Sequence, residues 1–335
     1  MTHMRKLGAV QIRGGSSALL VLWLILSCVL QTGYGAEPSP RPLIGYLSTH
    51  TTWVDHYREA LAELGYVDGK NVTLVWRGGD DQLDQLPAHA RELVNLRVHL
   101  ILVDSTLSAR AAKGETDSVP IVLSHVADPV GFGLVTSLAH PAGNVTGVTS
   151  MTLDVTAKRL QLLKDVAPHL SRVALLWRPD NPLAKSQLED AGTAAPQLQL
   201  KLQKIMARDA AELQSAFESI PNPKRVGLLV TDDTLYWNLF PQIAAQSVKR
   251  SMLGIAGNRL FPESGGLMSY GASPKEQYQR AAAYIDRILK GAQPKDLPIE
   301  RATKIELVIN LGTAKALGIS LPQSILLRAD EVIRQ

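Results

Sequence analysis

Hydroxyl, amide and carboxylate side chains recur at one kind of place in this chain, just after a short apolar run and just before an amphipathic stretch. Ser48-Thr-His-Thr-Thr52 follows Leu43–Leu47, and Asp104-Ser-Thr106 follows Leu100–Val103. A helix beginning there offers unpaired N–H groups and partial positive charge, which suit a carboxylate or another anion. The same residue types also serve as plain N-caps, so each carries both readings. Asn181, in the two-proline loop Arg178-Pro-Asp-Asn-Pro182, either bonds a ligand or holds the turn. Thr231-Asp-Asp-Thr234 follows Val226–Val230. Its adjacent carboxylates can meet an ammonium group, hold a cation or cap the next helix. The candidate ligand-binding residues are therefore Ser48, Thr51, Ser105, Thr106, Asp128, Asn181, Asp232 and Thr234. Ser48, Thr51, Ser105 and Thr106 would hold an anionic end of a solute. Asn181, Asp232 and Thr234 would hold the other end, with Asp232 as counter-charge to an ammonium group.

Signals for catalysis are weaker. Ser124, His125 and Asp128 stand within five residues. Triad members come from different elements, however, and no Gly-x-Ser-x-Gly elbow is present. Gly131-Phe-Gly133 lacks the third glycine of a dinucleotide fingerprint and reads as a turn. No His-x-x-x-His pair and no Walker loop occurs. The expectation is no catalytic residue, no metal and no cofactor. An exported enzyme using Asp128 or Asp232 as an acid–base group is the competing reading.

Parallel strands would place these groups together. Apolar runs at Leu43–Leu47, Val72–Trp76, Leu100–Val103, Ile121–Leu123 and Val145–Val148 alternate with helical patterns, as around Trp53–Leu64 and Leu86–Leu96. The alternation restarts with a helix over Lys158–Val166. Runs at Val173–Trp177, Leu200–Met206, Val226–Val230 and Leu253–Ala256 follow, with helices around Ala210–Ser219 and Leu235–Ser247. Continuous apolar strands separated by helices mean a parallel sheet covered on both faces. Ligands bind outside the carboxyl ends of such strands, where the polar loops fall. The tail adds a strand at Gly266–Gly271, a helix face from Tyr278 to Leu289 and a strand at Lys304–Asn310, too little for a third core. The fold class is α/β, two doubly wound parallel-sheet lobes joined by a multi-crossover hinge. Residues 43–150 and 271–290 make lobe one, and residues 151–270 and 291–335 make lobe two.

A leader precedes these elements. Arg5, Lys6 and Arg13 stand before the thirteen-residue apolar run Ala18–Leu30, and Gly33 and Gly35 supply small residues for cleavage. Thirteen helical residues reach about 20 Å, short of the ~30 Å hydrocarbon core. Residues 1–35 therefore read as a signal peptide, and residues 36–42, with three prolines, as an extended linker. The formal charge of +4 owes three cations to the leader, so the processed chain is close to neutral and has no footprint for nucleic acid. The one cysteine, Cys28, lies in the leader. An alternative reading makes it the lipidated first residue of a lipoprotein.

Further segments carry a family resemblance. They include Glu63–Tyr66 with Gly69–Val72, Val119–Val122, Asp128–Gly131 with Gly133–Val135, and Gly143–Gly147. Towards the C-terminus they are Gly265–Gly271, Ile288–Gly291, Asp296–Pro298, Glu306–Asn310, Ala314–Gly318 and Arg328–Asp330. In this order they resemble the tryptophan-binding-type ABC transporter substrate-binding family, a branch of the type I periplasmic binding proteins. The resemblance implies a periplasmic monomer that captures a small-molecule solute, such as an amino acid or related carboxylate, between two lobes. Delivery would be to an inner-membrane ABC permease; a membrane receptor is the sensory alternative. Ser48–Thr52 and Asp104–Thr106 depart from the glycine- or proline-containing loops usual in that family.

Overall fold

Alternation within each strand sends successive side chains to opposite faces, and here both faces are covered. The computed structural model describes residues 41–49, 53–78, 83–150, 155–224 and 226–334. The proposed leader Met1–Gly35 with Cys28, residues 36–40 of the linker, and Thr51 lie outside the described residues. In chain order the elements begin β1 (Leu43–Ser48), α1 (Val54–Glu63), β2 (Thr73–Gly78), α2 (Leu86–Asn95), β3 (Leu100–Val103), α3 (Thr106–Glu115), β4 (Ile121–Val126) and β5 (Val145–Thr149). The second run is α4 (Thr156–Val166), β6 (Arg172–Trp177), α5 (Pro182–Gln197), β7 (Lys201–Met206), α6 (Ala210–Glu218), β8 (Val226–Val230), α7 (Thr234–Lys249), β9 (Leu253–Ala256), α8 (Leu260–Glu263) and β10 (Met268–Ala272). The tail holds α9 (Pro274–Leu289), β11 (Glu300–Arg301), β12 (Ile305–Asn310), α10 (Leu311–Ala316), α11 (Gln323–Leu326) and β13 (Glu331–Ile333).

Two sheets result, with strand orders β11-β5-β4-β3-β1-β2 and β13-β12-β10-β9-β8-β6-β7. Every pairing is parallel except that of β10 with β12. On the first sheet Ile44, Tyr46, Leu100, Leu102 and Val122 pack to one side. Leu47, Ile101, Val103, Ile121 and Leu123 pack to the other. The second sheet repeats the device, with Val173, Leu175 and Leu229 on one face and Ala174, Leu176, Leu228 and Val230 on the other. Each buried Leu or Val contributes about 1.5–3 kcal/mol, so neither sheet can expose a face cheaply. The architecture is α/β with two parallel-sheet lobes, as the apolar periodicity predicts.

The chain passes between the sheets three times, from β5 to α4, from β10 to α9, and from β11 to β12. The tail is divided more finely than the sequence reading has it. Gly271 and Ala272, expected in lobe one, pair with Glu306 and Ile305 in the second sheet. Residues just after 290, expected in lobe two, return to the first sheet. Thr146 donates to the Leu297 carbonyl at 2.7 Å, Ile299 N donates to the Leu138 carbonyl at 2.7 Å, and β11 pairs with β5. The sixteen-residue α5 is an addition. Its buried stripe of Leu183, Ala184, Leu188, Ala191 and Ala195 is too alanine-rich to stand out in sequence. No helix among the described residues is long and apolar enough to cross a membrane.

Candidate functional site

The carboxyl ends of strands from both sheets meet around a small cavity of about 50 Å³. Lobe one contributes Ser105, Thr106, His125 and Ser150, and α9 adds Gln277. Lobe two contributes Asn181, Asp232, Thr234, Trp237, Gly257 and Asn258.

On the lobe-one side, Asp104 directly follows β3 and α3 begins two residues later. Ser105 is its N-cap. The Ser105 hydroxyl accepts from Ser108 N, and the Ser108 hydroxyl accepts from Ser105 N, both at 3.1 Å. This reciprocal cap fixes where the first free N–H groups of α3 face. Asp104 is fully buried behind them and accepts from the Tyr46 hydroxyl at 2.5 Å and the Ser48 hydroxyl at 2.6 Å. Burial, and next the Asp104 charge, push the Tyr46 and Tyr57 hydroxyls well above the usual tyrosine range, so both stay neutral. His125 Nδ1 lies 3.1 Å from the Ser124 hydroxyl and 3.4 Å from the Tyr57 hydroxyl. Gln277 is 1% exposed, and its Oε1 has no hydrogen-bond partner among the described residues.

On the lobe-two side two buried ion pairs stand side by side. Arg178 donates to Asp233 through Nε at 2.8 Å and Nη2 at 3.2 Å. Asp233 also accepts from Asn181 Nδ2 at 2.8 Å and, as N-cap of α7, from Leu235 N at 2.9 Å. Its acceptor positions are filled, which makes it structural. Asp232 differs. Its Oδ2 accepts from Arg159 Nη1 at 2.8 Å and from Gln187 Nε2 at 2.6 Å, while its N–H donates to Gln187 Oε1 at 2.8 Å. A Cβ at Gly257 would lie 1.9 Å from Asp232 Oδ1 and 2.2 Å from Arg159 Nη2, so only glycine lets the backbone close over the pair. Both aspartates are matched by guanidinium groups, and among the described residues no cluster of His, Cys, Asp and Glu is suited to a metal.

Of the residues singled out from sequence, the fold brings Ser105, Thr106, Asn181, Asp232 and Thr234 to one cavity. Asn181 combines its two readings: its Oδ1 caps α5 by accepting from Leu183 N, and it still lines the cavity. Ser48 does not line it; its hydroxyl is spent on Asp104 behind the wall. Asp128 does not line it either; it closes a turn by accepting from Gly131 N at 2.8 Å. Arg159, Gln187, Trp237 and Gln277 are additions. Trp237 lies one helical turn beyond Thr234, a spacing that puts both on one face. Arg159 is a charge among the buried Thr156, Leu160 and Leu163 of α4, a mismatch that marks a buried partner.

A second interlobe cavity, of about 360 Å³, lies next to the first and shares Asn258 with it. Trp53 lines this outer cavity and Trp237 the inner one. Their rings pack against each other in a tilted arrangement, 4.3 Å between centroids with planes 34° apart.

A family model described as ABC transporter substrate binding protein matches residues 49–333. A tyrosine-binding protein of Clostridioides difficile is 28% identical over 262 residues, covering 78% of this chain and 75% of that one. Two crystal structures are similar in fold. A conserved domain protein from Vibrio cholerae superposes with a TM-score of 0.81 at 24% identity, over 88% of this chain and all of the other. An ABC domain from Streptococcus pneumonia in complex with L-Trp gives 0.79 at 24% identity, with the same coverage.

Proposed function

The chain belongs to the family of ABC transporter substrate-binding proteins, and we propose that it is the extracytoplasmic solute-binding component of an importer. It takes a small molecule with an amino-acid head group, or a related carboxylate, between its lobes and presents it to an inner-membrane permease. The observation that carries this reading is a cavity walled by polar groups of both lobes, with the buried Gln277 Oε1 left unpartnered beside it. A buried carbonyl oxygen costs free energy unless a donor reaches it, and a bound ammonium or hydroxyl would be that donor. The start of α3 at Ser105 and Thr106 suits the carboxylate. Asp232 Oδ1, beside Gly257, suits the ammonium. With Arg159 opposite Asp232 and Arg178 opposite Asp233, those pairs add no net charge to the wall, which favours a zwitterion over a cation or an anion. The named ligands of the Clostridioides difficile and Streptococcus pneumonia relatives support the same head group.

Such a protein works without catalysis: the lobes close on the solute, and the permease reads the closed shape. Export through the leader would place it in the periplasm, and an N-terminus at Ala36 by mass spectrometry would establish the processed form. A thermal-shift screen over amino acids, carboxylates, sugars and nucleosides tests the function. A ligand at one hundred times its Kd adds about 2.7 kcal/mol, a readable rise in melting temperature. A rise with sugars or nucleosides alone would overturn the amino-acid reading.

A further inference from the structure

Ser273-Pro-Lys-Glu276, at the start of α9, has the spacing of a capping box, in which the glutamate reaches back to the N–H of its own N-cap. The structure spends both groups elsewhere. Ser273 is the N-cap but makes no side-chain cap bond, and its N–H donates to the Lys304 carbonyl at 2.9 Å. Glu276 Oε2 accepts from Lys304 N at 2.8 Å and from Thr303 N at 3.2 Å. Glu276 Oε1 accepts from the Thr303 hydroxyl at 2.6 Å and from Arg280 Nε at 3.0 Å. Arg280 completes the cluster: Nη2 donates to the Thr303 hydroxyl at 3.1 Å and Nη1 to Glu300 of β11 at 2.5 Å.

These bonds join two of the three crossovers. Residues 272–274 lead from β10 to α9, and residues 302–304 lead from β11 to β12. The β10–β12 ladder stops at the Ala272–Ile305 pair. The Ser273–Lys304 bond and then the Glu276 carboxylate carry the link beyond the sheet, so two separate connections are held as one. Hinges work through a few residues that absorb changes in φ and ψ. Here Thr303 and Lys304 have both N–H groups committed to a single carboxylate. Burial works against charge on Glu276, but the bonds from Thr303, Lys304 and Arg280 outweigh it and hold the carboxyl below its ordinary value of 4.5. It is an anion at neutral pH, and hydrogen bonds to an ionised group are roughly twice as strong as neutral ones.

The same turn borders both cavities. Ala272 and Gln277 line the inner one, and Pro274 and Tyr278 the outer. Glu276 lines neither, so its place is behind the wall. Gln277, with its unpartnered Oε1, is the very next residue. We propose that Glu276 is a positioning residue of the cleft: it fastens the start of α9 to the strand entering lobe two, and so sets how the lobes meet over the solute. The inference rests on the reading of the cleft as the place where a solute is held between the lobes.

The Trp53–Trp237 contact reports the approach of the lobes without any solute. Near-UV circular dichroism on the full processed chain compares wild type with Glu276→Ala, Glu276→Gln and Arg280→Met. The contact signal is the part that Trp237→Phe removes. Lys290→Ala, which breaks an exposed ion pair with Asp286 at the far end of α9, is the control. Glu276→Ala should lose most of the contact signal with its far-UV spectrum intact. Glu276→Gln and Arg280→Met should lose a smaller part, and Lys290→Ala none. The glutamine and methionine variants decide the matter where the alanine variant does not fold. Calorimetry with L-tyrosine and L-tryptophan as probes should show affinity falling by the factor by which the contact signal falls, because apparent affinity scales with the fraction in the binding-competent form. A lower melting temperature with contact signal and affinity unchanged would make the cluster merely stabilising and overturn the positioning role. So would an equal loss of signal in Lys290→Ala. If neither probe binds any of the proteins while the contact signal falls as expected, the positioning role stands and the amino-acid reading fails.

Discussion

Arg159 on α4 and Asp232 after β8 form a buried ion pair at 2.8 Å, with side-chain exposures of 1% and 7%. The pair ties the cavity wall to the second sheet, because Arg159 Nε also donates to the Tyr270 carbonyl of β10 at 2.8 Å. Asp232 is therefore both a candidate ligand contact and a structural counter-charge.

Asp232→Asn should lower stability by about 3–5 kcal/mol, since removing one partner strands a buried charge on the other. Urea denaturation measures the loss. Arg159→Met combined with Asp232→Asn should recover part of it, and calorimetry on the double variant then isolates the binding role. Additive losses in the cycle would mean that the two residues do not interact.

Gly257→Ala should disturb the same pair from the other side. The new methyl would meet Asp232 Oδ1 and Arg159 Nη2 well inside contact distance. Overpacking of this kind costs about 1–3 kcal/mol. Gly192→Ala, inside α5 with nothing within 4 Å of the new atom, is the matched control and should raise the melting temperature slightly, because alanine is the better helix former.

The two lobes were legible because central strands such as β3, β6, β8 and β9 are apolar runs with a polar loop after each. Ser105, Thr106, Asn181, Asp232 and Thr234 were legible for the same reason: they stand at strand carboxyl ends. Arg159 and Gln187 were not, because their partner Asp232 lies 73 and 45 residues away and only the folded sheet brings them together. Ser48 and Asp128 satisfy the same local pattern as the cavity residues, yet hydrogen bonds consume them, for Ser48 to Asp104, 56 residues away in sequence, and for Asp128 to Gly131 within its own turn. Spacing cannot tell a cap or a turn from a ligand contact when the side chain suits both.

Glu306 supplies a pH dependence. It sits on β12 opposite Gly271 of β10, is 6% exposed, and has Arg259 Nη1 3.7 Å away. Burial raises its pKa above the ordinary value of 4.5, and the Arg259 charge offsets only part of that. The folded chain thus holds this proton more tightly than the unfolded chain does. The associated stability is fully present below the ordinary value and is lost as pH rises through the raised one. Melting temperatures of wild type and Glu306→Gln, taken from about pH 4 to about pH 8, should diverge in favour of the variant as pH rises. Parallel curves would show that Glu306 is already ionised without cost.

Closure is the remaining expectation, and the packed tryptophans make it specific. Three crossovers join the lobes, and the rings of Trp53 and Trp237 touch only if the lobes are together. Opening separates that pair and joins both cavities to solvent. Binding of a solute to groups on both lobes then favours the closed form by its difference in affinity for the two states. Small-angle scattering with and without an amino acid found in the thermal screen should give a smaller radius of gyration when it is bound. Tryptophan emission should change in the same titration and lose most of that change in Trp237→Leu. An unchanged radius at saturation, with emission still responding, would mean that the solute enters lobes already closed and that the tryptophan contact, not the hinge, governs access.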